Sequence, residues 1–389
     1  MKCAMNKIVA TACLLLSMTA YAGYNQGVGS YEKNDCATDL KEFESLARQG
    51  SASAQFYLGQ IYTSSCGVPQ DYKEAVKWFR LAADQGFALA QFSLGVMYEK
   101  GQGLPQDSKE AVKWYRLAAD QGHDDAQYNL GMMYEKGQGL PQDSKKAVKW
   151  YRLAADQGFS QAQYNLGVMY ENGRGVPQDS KEAVKWYRLA ADQGYALAQS
   201  NLGAMYEKSQ GLPDSKEAAK WYRLAADQGY APAQCYLGLI YEKGRGVPQD
   251  YKEAVKWYRL AATQGFAQAQ SNLGVMYATG QGVLQDDKEA VRWLRLAADK
   301  GNADGQNNLG VTYVTGRGVI QSRVIAFALF NMAASNNPSA VNLAAATRKG
   351  AAANRDNLSL LMSAAEIAKG QSLSREMSKP GMLLKVLDR

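Results

Sequence analysis

Residues able to carry acid–base or metal chemistry are few in this chain. Its 389 residues include one histidine, His123. A histidine-based triad or a histidine-rich metal site could therefore form at one place only. Equivalent positions elsewhere in the chain carry aromatic residues such as Phe87 and Phe159, so we interpret His123 as an aromatic substitute. We find no nucleophile motif. We therefore predict no catalytic, cofactor-binding or metal-binding residues and no enzymatic activity.

Glycine-rich loops raise a second possibility, a phosphate cradle. The strings GQG and GRG recur, for example at Gly101 and Gly173. A phosphate loop needs a preceding strand and a helix N-terminus aimed at the ligand. Here a helical pattern precedes each loop, proline and aspartate follow, and no Gly-Lys-Ser/Thr occurs. We interpret these loops as structural turns.

The N-terminal segment indicates the compartment. Residues 1–22, MKCAMNKIVATACLLLSMTAYA, combine two lysines, an apolar stretch over residues 8–16 and the small-x-small ending Ala20-Tyr21-Ala22. This is the layout of a secretory signal peptide. A retained anchor is the alternative, but the stretch is shorter than the roughly 20 residues that span a bilayer. We expect an exported protein, periplasmic or secreted, with no membrane span after signal cleavage.

Cysteine usage follows from that expectation. Cys3 and Cys13 would leave with the signal, so the mature chain would hold Cys36, Cys66 and Cys235. An odd number in an exported protein indicates one bridge and one spare thiol. Cys36 starts a predicted helix and Cys66 lies in a loop at the same end of the stacked helices. We predict a Cys36–Cys66 disulfide, and a buried free thiol at Cys235.

Charge makes nucleic acid an unsuitable partner. The formal net charge is +7, of which the two lysines of the predicted signal peptide contribute two. Basic and acidic residues are interleaved, as in SKEAVKWYR, and form no blocks. Nucleic-acid binding normally requires a clustered basic face, so we expect none.

An internal period organises most of the chain. The glycine that closes each DQG-like string recurs every 36 residues, with one step of 35, and a Leu-Gly pair forms a second ladder of eight. These ladders define eight units over residues 51–338. All seven tryptophans fall at one helical position of the unit. We assign them to packing between repeats; a ligand-stacking ladder is the alternative.

Each unit is predicted to be two helices joined by a Gly/Pro loop. In the second unit, residues 88–101 place Ala90, Leu94 and Met97 at helical spacing. Asp107 is the predicted N-cap of the second helix, with Glu110 completing a capping-box-like pair. Gly122 ends that helix. Because one helix pair cannot bury its apolar face alone, it must stack on its neighbours.

The two ends differ from the units. We expect an N-terminal capping helix within residues 23–50, and C-terminal capping helices with a tail over residues 339–389. A repeat stack needs such atypical ends to close its core.

The unit AxAQxxLGxMYExGxGxPQDxxKEAxKWYRLAAxQG resembles the Sel-one-like repeat (SLR), a relative of the tetratricopeptide repeat. The resemblance implies an all-α fold, a right-handed α-solenoid of eight helix-turn-helix repeats of about 36 residues, and a protein-binding scaffold. It links exported bacterial members to envelope functions, host interaction and periplasmic immunity against secreted phospholipases. Members that bind or hydrolyse β-lactams carry a cysteine pair in each repeat, a pattern that this chain lacks.

The partner surface is predicted from variation between units. Second helices are nearly identical, whereas first helices differ. The variable positions supply aromatic and amide groups suited to a peptide or protein surface; drift after duplication is the alternative. The predicted contact residues are Tyr128, Asn129, Tyr164, Asn165 and Asn201. We expect a monomeric adaptor that binds an envelope protein or secreted effector along the concave face. An immunity protein is the narrower alternative, and an enzyme acting on peptidoglycan or β-lactams is the competing class.

Overall fold

The computed structural model describes residues 36–65, 68–208, 214–335 and 343–388, and in these ranges the regular structure is helical throughout. The helices are α1 Cys36–Arg48, α2 Ala52–Ser64, α3 Tyr72–Asp84, α4 Ala88–Lys100, α5 Ser108–Asp120, α6 Asp124–Lys136, α7 Ser144–Asp156, α8 Ser160–Asn172, α9 Ser180–Asp192, α10 Ala196–Lys208, α11 Ser215–Asp227, α12 Ala231–Lys243, α13 Tyr251–Thr263, α14 Ala267–Thr279, α15 Asp287–Asp299, α16 Ala303–Thr315, α17 Arg323–Ser335, α18 Leu343–Ser359, α19 Ala364–Met377 and α20 Leu383–Leu387. Eight consecutive pairs, from α2/α3 to α16/α17, are numbered repeat 1 to repeat 8.

The chain forms two compact units. Unit 1 contains residues up to 159 together with 174–176, and unit 2 contains residues 160–173 and 177 onward. Unit 1 therefore holds repeats 1–3, and unit 2 holds the helices of repeats 4–8 and the C-terminal helices. Each unit is a stack of helix pairs, as predicted for an α-solenoid.

Aspartates start the second helices. The carboxylate of Asp107 accepts hydrogen bonds from the backbone N–H groups of Lys109 and Glu110, at 2.8 and 3.1 Å, which satisfies donors left open by the first turn. Our capping-box prediction for Glu110 was wrong in detail. Its carboxylate pairs forward with Lys113, because a lysine three residues on is within reach of the same helix face.

Glycines permit two kinds of close contact among the described residues. A Cβ on Gly238 would lie 2.7 Å from the ring of Tyr258, so the glycine of the Leu-Gly ladder leaves room for a second-helix side chain, which is an aromatic ring in every repeat except repeat 7. A Cβ on Gly282 would lie 2.2 Å from the carbonyl oxygen of Tyr251 in the preceding repeat. The recurrent GQG loops are therefore points where one repeat touches the backbone of its neighbour, which supports the structural interpretation.

Buried glutamines connect successive repeats. The Gln91 amide donates to the carbonyl of Ala83 at 3.1 Å and accepts from the Gln121 amide at 2.7 Å. The same two bonds recur around Gln127, Gln199 and Gln234. Each glutamine thus ties a first helix to the second helices on both sides.

Tryptophans contribute to the core. Four of them are buried, namely Trp186, Trp221, Trp257 and Trp293. Trp78 and Trp114 are partly exposed and pack against apolar clusters in unit 1. The packing interpretation is confirmed for these side chains.

The C-terminal helices cover the last repeat. Phe327 and Leu329 of α17 share one apolar cluster with Leu358, Met377 and Leu383 from α18 to α20. Burial of these side chains is the physical reason for a helical end segment, since the last repeat would otherwise expose its apolar face.

The predictions for the signal peptide, the disulfide and Cys235 depend on which residues the structure describes. The predicted signal peptide, residues 1–22, lies outside the described residues, as do Cys66 and the contacts of the Cys36 side chain; the disulfide stays a prediction. Cys235 is a buried free cysteine, as predicted. Within the described ranges, none of the helices combines the length and apolarity needed to cross a bilayer.

Candidate partner-binding surface

The first helices carry a solvent-facing stripe. Their second, sixth, ninth and thirteenth residues fall on one face because these spacings follow the helical period. We call this set the first-helix stripe. In repeat 6 it consists of Pro232, Tyr236, Leu239 and Lys243, of which Tyr236 is 44% exposed. The stripe of repeats 1–3 belongs to unit 1 and that of repeats 4–8 to unit 2.

The two predicted tyrosines lie beside the stripe and turn partly inward. The ring of Tyr128 packs on Tyr151 and Phe159, with centroids 5.8 and 5.2 Å away. The ring of Tyr164 packs on Tyr187 and Tyr195, at 5.7 and 5.4 Å. Burial raises the pKa of Tyr164. These tyrosines therefore contribute chiefly to packing between helices and expose only part of their surface.

The three predicted asparagines lie on the stripe itself. Asn129, Asn165 and Asn201 occupy its sixth position and are half-buried. The Asn201 amide donates to the Tyr164 hydroxyl at 3.5 Å and also bonds to the Tyr187 hydroxyl. The structure thus brings Tyr164 and Asn201 together in unit 2.

The other predicted residues are distributed over both units. Tyr128 and Asn129 are neighbours on α6 of unit 1, whereas Asn165 follows Tyr164 on α8 of unit 2. The five predicted residues therefore form two groups, one of two residues in unit 1 and one of three residues in unit 2.

Apolar stripe residues were missed in the sequence. The ninth position carries Val96, Met132, Val168, Ala204, Leu239, Val275 and Val311 in repeats 2–8. Val311 is 42% exposed and the others are half-buried. The sequence does contain a signal for these residues: the ninth position lies three residues after the sixth and therefore on the same helix face. An apolar residue there places an apolar group on the solvent side of an otherwise polar face.

A second apolar feature lies on the nearly identical second helices. Each second helix of repeats 1–6 carries a leucine that is 40–48% exposed. These leucines are Leu81, Leu117 and Leu153 in unit 1, and Leu189, Leu224 and Leu260 in unit 2; we call them the leucine row. Identity between repeats therefore did not imply burial at this position, because duplication copies exposed and buried residues alike.

The single histidine has two acidic neighbours. The side-chain atoms of His123, Asp124 and Asp125 that could bind a metal ion lie within 4.8 Å of one another. The Nδ1 atom of His123 accepts the Ala126 N–H at 3.4 Å as a helix N-cap, and its ring stacks on Phe92 at 4.8 Å. Burial lowers the pKa of His123 and raises the pKa of Asp125 to about 6. We explain this cluster as the start of α6.

Stacked helix pairs with a variable solvent face are the architecture of α-solenoid repeat proteins. The chain belongs to the Sel1 repeat family, whose family model matches residues 52–87, 88–123, 124–159, 160–195, 196–230, 231–266, 267–302 and 303–338. The assignment made from the repeat motif is confirmed. Proteins of this family serve as protein-interaction scaffolds.

Two solved structures support the assignment. A protective antigen present in uropathogenic Escherichia coli strains, with an SLR fold, is 32% identical, with coverage of 90% of this chain and 81% of that chain and a TM-score of 0.56. A Sel1 repeat protein from Oxalobacter formigenes is 33% identical over 62% of this chain and 96% of its own, with a TM-score of 0.55.

One immunity protein is a more distant structural neighbour. An immunity protein from Pseudomonas aeruginosa is 24% identical over 56% of this chain and 82% of its own, with a TM-score of 0.35. Such a low score gives no functional argument. No curated protein is significantly similar to the chain.

Proposed function

We propose that this protein is an exported, non-enzymatic adaptor that binds a partner protein through the first-helix stripe. One observation carries the proposal: the solvent-facing first-helix positions, most of them half-buried, differ between repeats whose second helices are almost the same. A stack needs constant residues where repeats touch, and it can vary residues where a partner is contacted. The signal-like residues 1–22 support export.

The chemistry of the stripe suits a protein surface. It combines amides, such as Asn129 and Asn201, with the exposed aromatic ring of Tyr236 and the half-buried aliphatic side chain of Leu239. Protein interfaces are likewise mixed, with apolar contacts at the centre and hydrogen bonds around them. The half-buried side chains are also held by the helix, so little rotamer freedom is lost on binding.

The test begins with chemical crosslinking of the full chain in an envelope extract and identification of the captured protein. Its affinity is then measured for the purified pair. We expect Asn201→Ala combined with Leu239→Ala to weaken binding by roughly tenfold or more, because two stripe contacts are lost. Tyr128 and Tyr164 are poorer test positions, since their rings also pack between helices.

Leu224→Ala is the matched control, because it removes the same type of side chain, and a more exposed one than Leu239, from the leucine row of the same unit. Equal loss of affinity in both variants, or loss only in Leu224→Ala, would contradict binding through the stripe. A captured secreted toxin would select the narrower immunity role. Covalent labelling of the chain by a fluorescent penicillin would contradict the non-enzymatic proposal.

A further inference from the structure

A cavity of about 180 Å³ lies between repeats 7 and 8, within unit 2. Its lining is mostly apolar, with a few polar side chains. The lining residues are Val275, Ala278, Asp287, Ala290, Leu294, Asn308, Val311, Thr312, Thr315 and Arg317.

Five other repeats fill the equivalent place with a buried phenol and a carboxylate. In repeats 2–6 a second-helix tyrosine hydroxyl donates to a first-helix glutamate; we call this the Tyr–Glu pair. The pairs are Tyr115–Glu99 at 2.5 Å, Tyr151–Glu135 at 2.7 Å, Tyr187–Glu171 at 2.6 Å, Tyr222–Glu207 at 3.5 Å and Tyr258–Glu242 at 2.7 Å.

Repeat 7 has shorter side chains at both positions. Leu294 stands where the tyrosine does, and Ala278 stands where the glutamate does. Repeats 1 and 8 also lack the pair but retain an aromatic ring, as Phe79 and Phe330. Repeat 7 therefore differs from the other seven in lacking the ring, which explains why a cavity forms at this joint.

The amide that accompanies the phenol is nevertheless retained. Asn201 and Asn272 hydrogen-bond to the tyrosine hydroxyls of the repeats that precede them, Tyr187 and Tyr258. Asn308 occupies the same position after Leu294 and lines the cavity. Its own bonds, with Ser271 and Asn307, are long at 3.5 Å, and bonds of that length are weak. The cavity thus keeps a group suited to a phenol hydroxyl.

The cavity reaches the partner-binding surface. Val275 and Val311 belong to the first-helix stripe, and Val311 is 42% exposed. At the rim Arg317 pairs with Asp287 at 2.8 Å. In size the cavity is close to an engineered one of about 150 Å³ that binds benzene. A single six-membered ring therefore fits, entering from the stripe.

We propose that this cavity, the repeat 7 pocket, anchors a tyrosine side chain of the partner protein, with the ring against Leu294 and Val311 and the hydroxyl at Asn308. The inference rests on the proposed adaptor function and names the partner's contacting chemistry. A tyrosine is favoured over phenylalanine because Asn308 offers a hydrogen bond, and over tryptophan because an indole exceeds the volume of one ring.

Para-cresol, the tyrosine side chain without its backbone, tests the pocket without any partner. Binding to the full chain is followed by saturation-transfer NMR and titration. We expect a Kd on the order of 1 mM, as for other ligands of so few atoms. Toluene should bind severalfold more weakly, and Asn308→Ala should abolish that preference.

The decisive variant is the double substitution Ala278→Glu with Leu294→Tyr, which restores the chain's own Tyr–Glu pair and should abolish cresol binding. Ala278→Leu, which fills the pocket from its rim, serves if the double variant does not fold. Leu117→Ala, in the leucine row of unit 1, is the control and should leave cresol binding unchanged. Unchanged binding to both filled variants, or no binding to the wild type, would overturn the pocket.

Affinity measurements with the captured partner protein then distinguish the tyrosine-anchor proposal from the adaptor proposal. If the double variant loses roughly tenfold in affinity for the captured protein, that protein inserts a group into the pocket. If cresol binding meets every expectation but partner affinity is unchanged, the tyrosine anchor is wrong while the adaptor function stands. If the stripe variants leave partner affinity unchanged, the adaptor proposal fails regardless of the cresol result.

Discussion

Repeats 6 and 7 are neighbours in one unit, yet different side chains occupy the same buried position between their two helices. In repeat 6 the Tyr258 hydroxyl donates to Glu242 at 2.7 Å. In repeat 7 Leu294 and Ala278 replace both partners, and a cavity of about 180 Å³ results. The rest of the framework is shared, including the aspartate N-caps of α13 and α15.

The comparison shows that the Tyr–Glu pair changes as a unit. Repeats with the tyrosine also have the glutamate, and repeats 1, 7 and 8 lack both. A buried carboxylate or hydroxyl left without its partner costs about 1–3 kcal/mol, whereas removal of both is far cheaper. Duplicated repeats can therefore lose the pair together and acquire a pocket, provided that the contacts between repeats hold the stack.

The largest predicted effect concerns a contact that repeats 6 and 7 share. In Gly282→Ala the new Cβ would meet the Tyr251 carbonyl oxygen at 2.2 Å, at a residue with φ of 72°. We expect a loss of about 3 kcal/mol or more, because backbone must move. Chemical denaturation followed by circular dichroism measures the loss.

Gly229→Ala is the control for that loss, because Gly229 has a φ of 86° but no atom within 4 Å of the added Cβ. It should cost about 1–2 kcal/mol, from backbone strain alone. Similar losses of stability in the two variants would show that the close contact between repeats adds nothing to the effect of backbone strain.

The second effect tests the coupling within the Tyr–Glu pair. Glu242→Ala leaves the buried Tyr258 hydroxyl without an acceptor for its proton and should cost about 2 kcal/mol, and Tyr258→Phe about 1 kcal/mol. The pKa of Tyr258 is raised, first by burial and then by Glu242, so its hydroxyl stays protonated and remains the donor. The double variant should lose at least about 0.5 kcal/mol less than the sum.

A denaturation cycle over the wild type, both single variants and the double variant measures this coupling. Lys243→Ala is the control, because Glu242 also pairs with Lys243 at an exposed site, and such pairs contribute little. Strictly additive losses would contradict a pair that is kept or lost as a unit.

Most of the fold followed from the repeat ladders. Helix pairs, aspartate caps and turn glycines such as Gly122 are local features, so sequence spacing sufficed to predict them. The site was less accessible because variation marks a residue as free to change but does not give its direction. Tyr128 varies between repeats yet packs inward, and Leu117 is constant yet exposed. The repeat 7 pocket could be found only in the structure, since its walls come from both repeats 7 and 8.

A third and smaller effect concerns the glutamine links. Gln234 accepts a hydrogen bond from Gln264 at 2.8 Å. The next repeat has Lys300 instead, whose amine donates to the Gly265 carbonyl at 2.7 Å, and the buried Oε1 of Gln270 has no partner among the described residues. Lys300→Gln should complete the link and raise stability by about 1 kcal/mol. A lower or unchanged denaturation midpoint would contradict this.

The smallest effect is predicted where Cys235 of repeat 6 corresponds to Ser271 of repeat 7. Both are buried, and the Asn272 amide lies 3.9 Å from the Cys235 sulfur. Cys235→Ser should therefore cost less than about 1 kcal/mol, since a hydroxyl already fits this environment. Denaturation midpoints of the two proteins provide the measurement, and a loss above 3 kcal/mol would show that the two environments differ.

The thiol itself supplies a pH-dependent check on the same position. Burial raises the pKa of Cys235 to about 12, whereas an exposed thiol titrates near 8.5. Above the lower value the unfolded chain loses a proton that the folded chain keeps, so this thiol's contribution to stability should fall as pH rises toward 12. Alkylation at pH 8 followed by peptide mapping should leave Cys235 unmodified until the chain is unfolded. Rapid native labelling would place Cys235 at the surface and separate its environment from that of Ser271.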